Sequence, residues 1–168
     1  MQALVAHPIK PSQRPKSIGL SSRYELLLLL IGICFTFLVG GYQFGLSNHT
    51  VYLIDPLRQN NPQILANDWW STSTLQYHGV FSAISAAFMR WGIIQPVFLI
   101  GYLSLVVLLH LAWWRLNRIL GGSGETYLLS VFFFYVSAAG FGLGLYSFLQ
   151  DSSILPSNIA NIAMLWAI

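Results

Sequence analysis

IIQPVFLIGYLSLVVLLHLAWW, Ile93–Trp114, runs for 22 residues without an Asp, Glu, Lys or Arg. As a helix rising about 1.5 Å per residue it reaches about 33 Å, enough to cross a hydrocarbon core of ~30 Å. Pro96 falls in the first turn, where its missing N–H costs least. Trp113 and Trp114 are placed as an aromatic belt, and Arg115 and Arg118 follow at once. This stretch predicts a membrane span.

Two further runs have the same character. Leu26–Phe44, LLLLLIGICFTFLVGGYQF, is 19 residues long, about 28 Å as a helix. Its Val39-Gly40-Gly41 is a poor match to a small-residue cleavage site, so it reads as a retained span rather than a signal peptide. Thr126–Phe148 forms a third, entered through the tight polar turn Leu120–Glu125. Gly140 and Gly144 give it a G-x-x-x-G face for close helix packing. After the polar stretch Gln150–Asn158, a fourth apolar run covers Ile159–Ile168, only half a bilayer at about 15 Å. That stub predicts a fragment of a longer multi-pass protein, because a helix ending in lipid strands its last carbonyls.

Composition agrees. Hydrophobic residues make up 55% of the 168 and charged ones 8%, against about 25% charged in an ordinary soluble domain. So little charge cannot cover a water-facing surface. The expected fold class is therefore an all-α integral membrane protein: three transmembrane helices plus a partial fourth, with spans about 26–44, 93–114, 126–148 and 159–168. Residues 1–24 form a proline-punctuated, disordered cytoplasmic tail, and 25–168 the membrane domain. With the amino terminus inside, Lys10, Arg14, Lys16, Arg23, Arg115 and Arg118 are cytoplasmic and only Arg58 and Arg90 lie outside. The expected location is a bacterial inner (plasma) membrane.

Between the first two spans lies the outward loop 47–79, SNHTVYLIDPLRQNNPQILANDWWSTSTLQYHG, followed by an amphipathic helix over 80–91. Asn48, Asn61-Pro62 and Asn67-Asp68 are three helix-start signals, so short interfacial helices are expected, anchored by Trp69 and Trp70. Val80, Ile84, Ala87, Phe88 and Trp91 share one stripe of the following helix.

Candidate chemistry concentrates in this loop. Asp55 and Asp68 are the candidate catalytic acids; a desolvated carboxylate is suited to general-base work. The plainer alternatives are a pairing of Asp55 with Arg58 and a helix cap by Asp68. His49 and His78 bracket the loop and, with the aspartates, make a conceivable two-His, two-Asp metal set of no known spacing. Arg90 is the cation best placed for an anionic headgroup or phosphate, or else snorkels to the interface. His110 is expected at the interface and Cys34, the lone cysteine, in helix packing. Asn48-His49-Thr50 matches the glycosylation tripeptide, which matters only in a secretory pathway. No nucleophile elbow, P-loop, H-E-x-x-H or Cys-x-x-Cys occurs.

One span, a long outward loop with short interfacial helices and an acid, then closely spaced spans: this order over residues 24–150 resembles the start of GT-C-type glycosyltransferases. Locally, YQFGLSNHTVYLIDPLRQNNPQILANDWW, residues 42–70, is similar to bacterial multi-pass proteins of that build. The resemblance implies that Asp55 or Asp68 acts as base or metal-linked activator, with a divalent metal as the implied cofactor. It implies a lipid-phosphate sugar donor met by Arg90, His49 and His78. Directly after the first helix, where such enzymes often carry an acid, this chain reads Ser47-Asn48-His49. The implied partners are the lipid bilayer, a lipid-linked sugar and other membrane helices, with no nucleic acid. The alternatives are a non-catalytic membrane subunit or scaffold and, disfavoured by scarce intramembrane polar groups, a transporter fragment.

Overall fold

A computed structural model describes residues 22–46, 48–73, 78–141 and 153–168. The amino-terminal tail, Gly144 and residues 142–148 of the third expected span lie outside the described residues. Every regular element among those described is an α-helix. They are α1 (Arg23–Gly40), α2 (Asn48–Asn60), α3 (Trp69–Ser73), α4 (Gly79–Arg90), α5 (Ile94–Ile119), α6 (Gly124–Phe141) and α7 (Pro156–Trp166).

Two of them, α1 and α5, are long and apolar enough to cross a membrane. Burial separates them from the core helices of a soluble protein. Only 22% of the α1 window and 39% of the α5 window are buried, so each carries a face of apolar side chains exposed to its surroundings. Leu38, Ile100, Phe133 and Val136 stand exposed on α1, α5 and α6, which in water would be a large unfavourable area.

The helix boundaries have local causes. The hydroxyl of Ser22 accepts from the Glu25 N–H at the start of α1, an N-cap with an acid in the first turn. Its last residue is Gly40, four before the predicted 44, and it is stopped by the cap Gly41, whose φ of 65° only glycine adopts freely. In α5 the helix runs on through Arg115 and Arg118 to Ile119, beyond the predicted 114. It is 26 residues long, about 39 Å, and therefore longer than α1 by about 12 Å. The fourth run starts at Pro156, with proline in the first turn, rather than at Ile159.

Parallel α1 and α6 lie against antiparallel α5, and their charged ends meet. Arg118 Nη1 is 3.5 Å from Glu25 Oε1, and Gly124 opens α6 where a Cβ would press on Leu28 and Trp114. One core cluster sits beside this arginine end, formed by Leu28, Leu29, Trp114, Tyr127, Val131 and Tyr135. A second lies at the other end of α5, where Phe98, Tyr102 and Val106 meet Leu53 and Ile154. Over that second cluster α2 and α4 pack together, covering the turns of α5 that overreach α1. Tyr102 ties the levels together, its hydroxyl donating to the Gly41 carbonyl at 2.6 Å.

Between the clusters is a polar lock the sequence reading missed. His110 is not interfacial: it is fully buried. Its Nε2 lies 2.8 Å from Thr36 Oγ1 and its Nδ1 2.6 Å from Tyr127 Oη, joining α1, α5 and α6. A neutral imidazole has one donor and one acceptor nitrogen. One hydroxyl therefore donates to the ring and the other accepts from it. Cys34 also departs from expectation, being exposed on α1 rather than packed.

Candidate binding cleft

The described part of the expected outward loop, residues 48–73, folds as α2, a series of turns over 62–67, and the short α3. Asn61-Pro62 starts turns rather than the expected second helix. Helix α2 tolerates the buried Pro56, whose missing N–H breaks one backbone bond. Helix α4 is polarised opposite to a water-facing helix. Ser82, Ser85 and Ala86 are buried, whereas Val80 is 78% and Ile84 51% exposed. Small residues on the inner face let the α2 backbone come close.

A cleft of about 580 Å³ opens where α2, α4 and the first residue of α5 meet. Phe44, Leu53, Leu57, Met89 and Ile94 give it apolar walls, and Gln59, Asn60 and Arg90 supply its polar edge. Asn60 holds this edge together. Its Nδ2 donates to the Ala86 carbonyl at 2.8 Å and the Pro56 carbonyl at 3.3 Å, and its Oδ1 accepts from Arg90 Nε at 3.3 Å. These bonds fix both the amide's orientation and the plane of the guanidinium. Arg90 is exposed, and no carboxylate among the described residues forms an ion pair with it. It presents a held cation above an apolar hollow, geometry suited to an anionic amphiphile.

The other candidates are placed as follows. Asp55 lies one turn from the cleft edge on α2, where Gln59 Nε2 donates to its Oδ2 at 2.9 Å. Arg58 does not pair with it; its Nη1 donates instead to the Ser71 carbonyl, pinning α3 to α2. Asp68 is the cap of α3, its Oδ2 accepting from the Ser71 N–H at 2.8 Å. Asp68→Ala is expected to cost about 1 kcal/mol of local stability. Hydrogen exchange should show it as faster opening of residues 69–73, with α5 unaffected.

His49 is fully buried. Its Nδ1 accepts from the Gly45 N–H at 3.2 Å, so the proton sits on Nε2, which donates to the Ile154 carbonyl at 3.0 Å. Both ring nitrogens are occupied, which leaves neither for a substrate or metal. His78 stands exposed at the start of α4, against the Tyr52 ring at 5.0 Å. The two-His, two-Asp set is thus dispersed. Among the described residues no three His, Cys, Asp or Glu side chains converge as metal ligands. Gly140 lies in the last turn of α6, and its expected companion Gly144 is outside the described residues.

Comparison with protein-family models, curated proteins and solved structures gives no match to this chain. The case for a function therefore rests on the cleft itself.

Sequence reasoning passed over Gln59 and Asn60, which set the cleft edge. The available signal was two amides closing α2 just before Asn61-Pro62, where helix caps and turns compete for side-chain bonds.

Proposed function

We propose that this chain is an integral membrane protein, its arginine end cytoplasmic, whose α2–α4 assembly binds a lipid-phosphate amphiphile at the outer surface. In this reading α6 belongs to a third span and α7 begins a fourth. The assembly serves as the first outward loop of a GT-C-like membrane glycosyltransferase, using a lipid-phosphate sugar donor.

The observation that carries this reading is the guanidinium of Arg90, braced by Asn60 over apolar walls at the far end of α5. From Arg118 to Ile94 α5 rises about 36 Å. With Arg118 at the inner interface, Arg90 stands beyond a hydrocarbon layer of ~30 Å, at headgroup depth. A phosphate at that depth meets the cation while its hydrocarbon meets Leu53, Leu57 and Met89. Because Asp68 is engaged in capping, Asp55 is the residue proposed for general-base or metal-linked work.

The test uses the full chain in nanodiscs, titrated with a polyprenyl phosphate. Arg90→Ala should weaken binding about 10- to 100-fold, the worth of one or two charge-assisted hydrogen bonds. Arg90→Lys should recover part of it, having the charge without the fork. Equal affinity in all three proteins would remove the assignment. Sugar transfer by the intact enzyme, abolished in Asp55→Asn with binding retained, would establish the catalytic role. Unchanged transfer would favour a non-catalytic membrane subunit, a reading supported by the dispersal of the candidate acids and histidines.

A further inference from the structure

A second hollow, on another face of α4, has no part in the proposed cleft chemistry. It measures about 410 Å³ and lies between α4 and the start of α7. Val80, Phe81 and Ile84 wall it on one side, Pro156 and Ile159 on the other, and His78 stands at its polar end. Three of these side chains, Val80, Ile84 and Ile159, are exposed. Val80 and Ile84 belong to the outward stripe of α4, the helix that buries its serines, and Ile159 faces them from α7.

Depth decides what can occupy this groove. Phe81 touches Phe98 of α5, with ring centroids 5.8 Å apart. Ile154, just before α7, packs over Gly101, where an added Cβ would lie 2.5 Å from its Cδ1. The groove is therefore level with Phe98–Gly101, about 26–30 Å along α5 from Arg118. On the bilayer reading proposed above, that is the outer margin of a ~30 Å hydrocarbon layer. A sideways-open apolar groove at that depth faces lipid. Its one imidazole falls where acyl chains join their ester groups.

We propose that the groove between α4 and α7 is a binding site for one acyl chain of an outer-leaflet glycerophospholipid, with His78 meeting the ester region. The lipid completes the outer surface of α4, as a neighbouring helix would in a water-soluble fold. Its removal leaves the α2–α4 assembly held to α5 only by its inner contacts.

The experiment uses the full chain in phosphatidylcholine nanodiscs doped with a phosphatidylcholine bearing a diazirine on one acyl chain. After illumination, adducts should concentrate on 78–84 and 156–159. Ile84→Trp and Ile159→Trp, which fill the groove from exposed positions, should lower those adducts several-fold while leaving adducts on the Leu129–Phe133 face of α6 unchanged. An even spread over all exposed apolar faces, or indifference to the filling substitutions, overturns the site. Water access is read in parallel with a membrane-impermeant maleimide on Ile84→Cys and Phe133→Cys, each in a Cys34→Ser background. Neither cysteine should react. Reaction at 84 alone refutes the lipid site and spares the bilayer reading; reaction at both refutes the bilayer reading itself. Protection at 84 without lipid adducts would mean that protein covers the groove, and it too overturns the proposal.

Discussion

Gly32→Leu is expected to break the packing of α1 against α6 and to lower stability by on the order of 3 kcal/mol. Gly32 is buried under the ring of Tyr127, and even one added carbon would lie 3.0 Å from Cζ and 3.1 Å from Cε1. A leucine there must displace the tyrosine. Overpacking alone costs about 1–3 kcal/mol. The displaced phenol also abandons His110 Nδ1, held at 2.6 Å in the native fold. Interhelical hydrogen bonds in membranes contribute about 0.6 kcal/mol on average and up to about 1.7, so packing is the larger part of the loss. Tyr127→Phe isolates the smaller part, since it keeps the ring and removes the hydroxyl. Its expected cost is about 0.6–1.7 kcal/mol, comparable with Thr36→Val on the other side of the imidazole. Denaturation in mixed micelles, followed by circular dichroism, measures all three. A Gly32→Leu protein as stable as the native one would show that α1 and α6 do not depend on this contact.

The two long apolar helices were legible because the rule for a hydrocarbon-crossing segment is simple: charge is excluded for about 20 residues. That rule located α1 and α5 to within a few residues and failed at their ends, where Gly41 stops one helix and the other runs on through Arg115 and Arg118, which meet the Trp166 carbonyl and Glu25. The same rule misplaced His110. An ionisable group in a charge-free run can be stranded at an interface or bonded in the interior. Deciding between them requires knowing that Thr36 and Tyr127, 74 and 17 residues away, stand at the same depth. Alternation of polar and apolar residues in α4 was visible, and so was its stripe. Which side faces inward was not, because burial of Ser82 and Ser85 follows from the close approach of α2 rather than from hydropathy. In the candidate site, Arg90 was legible from its isolation among apolar residues, whereas the bracing role of Asn60 depends on the separate Ala86 carbonyl. Asp68 was legible as a cap, and as a cap it is found.

His49→Ala should detach the α2–α4 assembly while leaving α1 and α5 in place. The imidazole is fully buried between the rings of Phe44 and Phe98, at centroid distances of 5.4 and 5.2 Å. Its removal leaves the Gly45 N–H and the Ile154 carbonyl without this partner, at about 1–3 kcal/mol for each that stays unsatisfied. The vacated ring volume adds a cavity term, so the total is on the order of 4 kcal/mol. Two conservative variants divide the loss. Asn carries an acceptor near the place of Nδ1 and can serve Gly45; Gln carries a donor near the place of Nε2 and can serve Ile154. Each should recover part of the stability, and neither all of it. Hydrogen exchange should show the consequence as faster opening of 45–60 and 153–158 in His49→Ala, with the Leu103–Leu111 stretch of α5 still protected. The cleft gives an independent readout. Since Asn60 sits on α2 and orients Arg90, loosening α2 should weaken polyprenyl phosphate binding although His49 is not itself part of the cleft lining. Faster exchange with unaltered binding would mean that Arg90 acts without its brace. Native exchange rates in His49→Ala would show that the α2–α4 assembly is held by its apolar contacts alone.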